Sequence, residues 1–389
     1  MSAKVFFSNL WKAVYKNPRN RLKEERFLKK RRAFVDSIKQ LPTEFDREIV
    51  VIRTDDIGDY ILFRNSLELL RKAKPGYKIT LIGHALWQPI AEGWDSDFAD
   101  EFIWLQKGRF LKEEDYAQQF LREISAKRPE LVIAPSYSRS TFIDGVIARL
   151  LPAKEKYCWQ RNDREVRQWL RNYCDADFTH TKPIPDGLHE FGLNTRFMEW
   201  VTGQAAELVK PIIDAKKLPS ITGLSQQYVV LFAGAAAKRK RWGTEKFAQV
   251  ADYIAAKYGL QCVVCGSKGD GALADEIISN AKNKSSIVNY TGQTDLLQLA
   301  TVLNGSQLII TNDTSAAHYA AALGKSTIAL LNGNSYGRFF PYPAALHPNV
   351  KAIYPPAVTN PPYDWVGMGD IQSISITTVI KEVDLFLEG

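Results

Sequence analysis

"LIITNDTSAAHYAAALGKSTIALL", residues 308–331, reads as a strand, a polar turn, a helix, a glycine stop and a second strand. The first five residues are apolar or β-branched, as a buried strand requires. Asn312, Asp313, Thr314 and Ser315 are residue types that start a helix, and the Ala-rich run after them ends at Gly324, a common helix terminator. A strand, a crossover helix and a second strand of this length form a parallel pair. The stretch is therefore one βαβ unit, and the question is how far the pattern extends.

It extends in both directions. From "YVVLFAGA" (228–235) the chain alternates helix-like runs at 244–258, 270–282, 294–304 and 315–323 with "QCVVCGS" (261–267), "SIVNYTG", "SQLIITN" (306–312) and "STIALLN" (326–332). A similar alternation starts earlier. "EIVVIRT" (48–54), "KITLIGH" (78–84), "DEFIWLQ" and "ELVIAPS" (130–136) read as strands, with "DYILFRNSLELLRKAKPG" and "EDYAQQFLREISAKR" as helices. Residues 186–206 look helical, and the Pro-, Lys- and Ser-rich "LVKPIIDAKKLPSITGLSQQ" reads as a linker. "FFPYPAALHPNVKAIYPPAVTNPPY" reads as irregular, and an amphipathic helix closes the chain at 373–388. The predicted division is an arm (1–46), a first Rossmann-like domain (47–206), a linker (207–227), a second Rossmann-like domain (228–350) and a Pro-rich segment with a helix (351–389). Two doubly wound α/β domains facing a central cleft make a glycosyltransferase B (GT-B) type fold the leading architecture. Periodicity alone leaves a dehydrogenase or a periplasmic-type binding protein open.

Composition narrows the class. A chain of 389 residues with 45% hydrophobic and 24% charged residues is a soluble globular protein of about two domains. No apolar run reaches the ~18–20 residues that span a bilayer. Nor does the N-terminus show a signal peptide's short apolar core and cleavage site. Four cysteines, Cys158, Cys174, Cys262 and Cys265, are too few for a disulfide scaffold, which points to a reducing cytoplasm. The net charge of +8 is concentrated: residues 1–40 hold twelve Lys/Arg against three acids, so the body is nearly neutral. Phe7, Leu10, Trp11, Val14 and Tyr15 recur at helical spacing in that arm. A basic amphipathic helix of this kind suits an anionic membrane surface. The same stripe packed on the body, or an arm touching another polyanion, also fits.

Three turns carry candidate chemistry. After the first strand, "RTDDIGD" brings Asp55, Asp56 and Asp59 to a strand's carboxyl end, where open α/β sheets bind ligands. Gly58 permits a tight turn, and Asp59 falls in the first helical turn. Helix capping explains Asp59 as well as catalysis does. That turn lacks GxGxxG, which argues against a dinucleotide fingerprint there. In the second domain, Asp313, Thr314 and Ser315 open a helix whose small residues leave backbone N–H groups for an anion such as a diphosphate, with His318 one turn on. "FAGAAAKRKRWGTEKF" (232–247) places Lys238, Arg239, Lys240, Arg241 and Trp242 at another strand end, as a phosphate clamp would. Against these stand the readings of a well-capped core helix and a solvated basic loop. Cys262-Val-Val-Cys265 lies within an apparent strand and reads as core. Asp95-Ser-Asp97 has DxD spacing but reads as an acidic connection, and HExxH, P-loop and GxSxG motifs are absent.

Together these stretches resemble glycosyltransferase family 9, the lipopolysaccharide heptosyltransferase family. The resemblance rests on Ile57-Gly58-Asp59, Lys240-Arg241-Trp242, Gly266-Ser267, "TGQTDLLQLA" (291–300) and Asp313-Thr314-Ser315-Ala316-Ala317-His318, in the family's order over residues 48–340. It implies a GT-B fold and an inverting sugar transfer without metal or bound cofactor. The donor is then a nucleotide sugar, typically ADP-heptose, and the acceptor a lipid-linked glycan such as a growing lipopolysaccharide core. Asp59 matches the general base, with Asp56 in reserve. Lys240, Trp242, Gly266, Ser267, Asp270, Asp313, Thr314, Ser315 and His318 fall on the donor side, and Arg53, Gly58 and Arg338 are candidates for acceptor or phosphate contact. Ser315 stands where the family signature has glycine, and the basic arm is outside the signature. The implied location is the inner face of a bacterial cytoplasmic membrane, reached through residues 1–40, with no nucleic-acid partner. An epimerase or hydrolase of the same fold and a non-catalytic sugar-nucleotide-binding paralogue are the alternatives.

Overall fold

Asp46–Arg53 forms β1, buried from Glu48 to Arg53, and this central strand organises the first half of the chain. The computed structural model describes residues 18–161, 167–224, 227–334, 336–358 and 369–388. β2 (Lys78–His84), β3 (Glu101–Leu105), β4 (Pro129–Ala134), β5 (Glu155–Trp159) and β6 (His180–Lys182) complete a sheet ordered β3-β2-β1-β4-β5-β6. All neighbours are parallel, with Ile49 opposite Ile79 on one side and Leu131 on the other. A second sheet contains β7 (Tyr228–Phe232), β8 (Gln261–Val264), β9 (Ile287–Asn289), β10 (Leu308–Asn312), β11 (Thr327–Leu330) and β12 (Val350–Ile353). Its order is β12-β11-β10-β7-β8-β9, again parallel throughout. Counted from its own first strand, each sheet has the doubly wound order 3-2-1-4-5-6. The order reverses between β1 and β4 and between β7 and β10, where such sheets bind ligands. Every residue of β7 and β10 is buried, as a parallel sheet covered on both faces requires.

The chain clusters into two compact units. The first holds the described residues up to Asp56, with 70–88 and 97–185; the second holds 57–69, 89–96 and everything described from Asp186 onward. These boundaries differ from the division read from the sequence. Residues 57–69 follow β1 in the chain but pack with the second sheet's unit. Leu62 shares an apolar cluster with Phe191, Ala317, Ala321, Phe340 and Tyr342. Asn194 Nδ2 donates to the Leu62 carbonyl at 3.2 Å. Arg64 forms a buried ion pair with Asp95 at 2.6 Å, and the Tyr60 hydroxyl donates to the same carboxylate at 2.7 Å. Asp95 is thus a structural anchor, neither a metal ligand nor an acidic surface connection. The single helix expected over 59–76 is two, Ile57–Phe63 and Ser66–Ala73, interrupted where Asn65 Oδ1 accepts the Ile212 N–H at 2.9 Å.

The tail also belongs to the second core. β12 lies in the Pro-rich segment expected to be irregular, and the Ile376–Glu388 helix buries Val379 and Val383 beside Val229 and Ile328. At the other end, the Pro18–Ile38 helix buries Leu28 and Val35 in the core that contains Val50, Ile52 and Ile147. Its basic residues partly serve that docking. Buried Arg31 donates to the Phe110 carbonyl and to Glu114, Arg32 pairs with Asp177 and Asp36 with Arg149. This stretch of the arm packs on the body, whereas the stripe at 7, 10, 11, 14 and 15 lies outside the described residues. All four cysteines are buried, and desolvation pushes the Cys158, Cys262 and Cys265 thiols up to about 12. Among the described residues no helix is long and apolar enough to cross a membrane.

Candidate active site

The site is built at the order reversal of the second sheet, where β10 ends in Asn312 and the Ser315–Ala322 helix begins. Asn312 is fully buried and ties the two central strands together. Its Nδ2 donates to the Ala233 carbonyl at 2.7 Å and its Oδ1 accepts the Trp242 N–H at 3.1 Å. Thr314 is the N-cap, its hydroxyl accepting from Ala316 N at 3.3 Å. Asp313 holds Lys240 by an ion pair of 2.7 Å. Lys240 ends a 3-10 turn over Lys238–Lys240 that follows β7, so cation and helix N-terminus come from neighbouring strands. Gly266, Ser267 and Asp270 close the turn after β8. The Asp270 carboxylate accepts from Ser267 N at 2.9 Å and Ser267 Oγ at 2.6 Å. A Cβ on Gly234 would meet that carboxylate at 2.6 Å, so glycine is needed there.

Asp59 reaches the same place within the second unit. Gly58 lies so close to the His318 ring that an added Cβ would sit 2.7 Å from Cδ2. His318 is buried, shares a 2.7 Å hydrogen bond between Nδ1 and the Tyr342 hydroxyl, and stacks on Phe340 at 5.1 Å. Burial above all, then the charges of His189, Lys240 and Arg338, pushes its pKa down to about 3, so it is neutral at pH 7. Arg338 Nη2 lies 3.4 Å from Asp59 Oδ1, and Arg338 Nε pairs with the buried Glu190 carboxylate at 2.7 Å. Asp59, Arg338, Lys240 and Asp313 therefore gather around one helix N-terminus. A carboxylate able to take a proton stands with cations and backbone donors able to hold a diphosphate.

Several sequence candidates are placed elsewhere. The Trp242 indole is in the second core and donates Nε1–H to the Ile374 carbonyl at 3.1 Å, so it supports the loop from beneath and presents no face to a donor. Arg53 is fully buried and pairs with Asp55 at 2.9 Å, which makes it a brace for the β1 turn, not an acceptor contact. Asp55 also accepts from Ser136 Oγ at 3.0 Å, joining the ends of β1 and β4. Asp56, the reserve base, is 76% exposed with Lys107 at 3.6 Å. The Arg241 guanidinium folds back onto the Ala235 carbonyl at 2.8 Å. His318 acts as a buried platform for Gly58.

Comparison with known proteins finds similarity to one glycosyltransferase family. Residues 183–356 match the model for glycosyltransferase family 9 (heptosyltransferase). A lipooligosaccharide heptosyltransferase 2 from Haemophilus ducreyi is 23% identical over 292 residues, covering 72% of this chain and 80% of that protein. A crystal structure of a family 9 glycosyl transferase from Veillonella parvula superposes with a TM-score of 0.67 at 25% identity, over 89% of this chain and 99% of the other. The chain is thus similar to glycosyltransferase family 9, over residues 183–356 to the family model and over most of its length to these two relatives. It is a glycosyltransferase of the GT-B fold class. An Escherichia coli heptosyltransferase solved with ADP shares that fold at a TM-score of 0.66 and 15% identity, over 87% and 99% of the two chains.

Sequence reasoning missed Glu190, His189, Tyr342 and the Arg64–Asp95 pair. Glu190 reads as an ordinary acidic residue at a helix start, and its partner lies 148 residues further on. Its one signal is the adjacent "HEFGL", a charge flush against an apolar face.

Proposed function

We propose that this glycosyltransferase moves a heptose or related sugar from an ADP-linked donor to a lipopolysaccharide core or similar lipid-linked surface glycan, with inversion and without a required metal. The observation that carries the reading is the gathering of Asp59, Arg338 and the Lys240–Asp313 pair at the N-terminus of the Ser315–Ala322 helix. In this reading Asp59 takes the proton of an acceptor hydroxyl as its oxygen bonds to the anomeric carbon. The bond from that carbon to the diphosphate breaks, its electron pair leaving with the nucleotide. Lys240 and the helix N–H groups offset the growing charge, supplying what a metal supplies elsewhere. The ADP in the Escherichia coli heptosyltransferase structure and the name of the Haemophilus ducreyi relative support the choice of donor and acceptor.

A thermal-shift panel of ADP-, GDP-, UDP-, CDP- and dTDP-sugars tests the donor site. A ligand at ~100 times its dissociation constant stabilises the native state by ~2.7 kcal/mol. The expected result is a shift with the ADP-sugar that Lys240→Ala reduces; an equal shift in that variant would contradict the assignment. Undiminished turnover in excess EDTA is expected, and loss restored by a divalent cation would refute metal independence. The basic residues within 1–40 hold the enzyme at the inner face of the cytoplasmic membrane, where its acceptors are. Co-sedimentation with anionic but not neutral vesicles, abolished in 0.5 M salt, is the expected behaviour, and equal sedimentation with both would refute it.

A further inference from the structure

Glu190 opens the Glu190–Thr202 helix with a side chain only 1% exposed. A carboxylate in that position is costly unless it is paired. Its partner Arg338 is fixed from several sides. Glu190 N–H donates to the Arg338 carbonyl at 2.8 Å, His189 Nε2 donates to the Phe339 carbonyl at 2.6 Å, and the guanidinium lies 4.4 Å over the Phe339 ring. With Nε taken by Glu190, Nη2 is the atom that reaches Asp59. The same helix holds Asp59's helix through the bond from Asn194 to Leu62. Two carboxylates on separately anchored helices thus share one guanidinium.

The charge arithmetic gives this arrangement a consequence. With Asp59 ionised, the three groups carry one net negative charge; with Asp59 protonated they are neutral. An Arg338 without Glu190 would be a full countercharge to Asp59 and would hold its proton affinity down. We propose that Glu190 is a positioning residue that sets the basicity of Asp59 through Arg338, keeping the cation in place while cancelling most of its charge. This rests on the reading of Asp59 as the base. Among the described charged groups of the same unit, Lys240 is paired with Asp313 and Arg64 with Asp95. His318 and His189 are kept neutral by burial.

The pH dependence of kcat, with donor and acceptor saturating, tests the proposal. Glu190→Gln keeps the shape and removes the charge, so the acid limb should move down by about one pH unit, with a several-fold lower plateau. Arg338→Met should move the limb up by about one unit. The double variant should return it towards the wild-type position. A merely structural ion pair would lower stability in each variant and leave the limb in place, which would overturn the proposal. Should Glu190→Gln not fold, the double variant carries the test: its limb should lie below that of Arg338→Met, and a limb at the same position as in Arg338→Met would overturn the proposal. Asp59→Asn separates the two readings. If it still transfers sugar, the assignment of the base fails; if it is inactive while both limbs stay put, only the role of Glu190 fails.

Discussion

Three aspartates within five positions have three different fates, and their surroundings explain each. Asp55 is braced by Arg53 and Ser136, Asp56 projects into solvent beside Lys107, and Asp59 faces Arg338. The glycine before Asp59 is what lets its helix approach. Alanine at position 58 would ordinarily favour a helix by up to ~1 kcal/mol over glycine. Here its methyl would enter the His318 ring, which is itself held by Tyr342 and Phe340 and has little room to yield. Overpacking of this kind costs ~1–3 kcal/mol, so Gly58→Ala should lower the urea-unfolding free energy. A neutral or stabilising result would contradict the close packing described here.

At the scale of elements, the sequence carried the βαβ repeats and much of the candidate site, because both rest on local patterns. Apolar runs mark β1, β7 and β10, and the residues after each run define the turns. What it did not carry depends on long-range partners. β6 is three residues, His180–Lys182, with no apolar run, and β12 reads as "VKAI" among prolines; each is a strand because a neighbour offers an edge. The placement of the Ile57–Phe63 helix in the second unit was illegible for the same reason. Arg64, Asp95 and Glu190 look like surface charges until the fold pairs them. Trp242, which the family resemblance puts on the donor side, has its ring turned inward to Ile374 by the fold.

At the scale of the whole molecule, the buried histidines make stability depend on pH. Burial, largest among the causes, pushes His189 down to about 4 and His318 down to about 3, against an unfolded value of about 6.5. Between those values the unfolded chain binds protons that the folded one refuses. The stabilisation is therefore complete above about pH 6.5 and is lost as pH falls through the folded values, at up to ~1.4 kcal/mol per pH unit for each histidine. The urea midpoint should fall measurably from pH 7 to pH 5; an unchanged midpoint would mean that these rings charge freely in the native state. The basic N-terminal helix, docked on the first unit by Leu28, Val35 and Arg31, adds a charged surface to an otherwise nearly neutral protein. The central claim is that Asp59 performs the proton transfer beside a donor site formed by Lys240 and the Ser315–Ala322 helix. The most direct measurement is acceptor-dependent release of ADP from the ADP-sugar by wild type and Asp59→Asn, with donor affinity measured on the same preparations. The account predicts unchanged donor binding and at least ~100-fold slower release in the variant, as loss of a general base entails. Release at the wild-type rate with intact donor binding would contradict it.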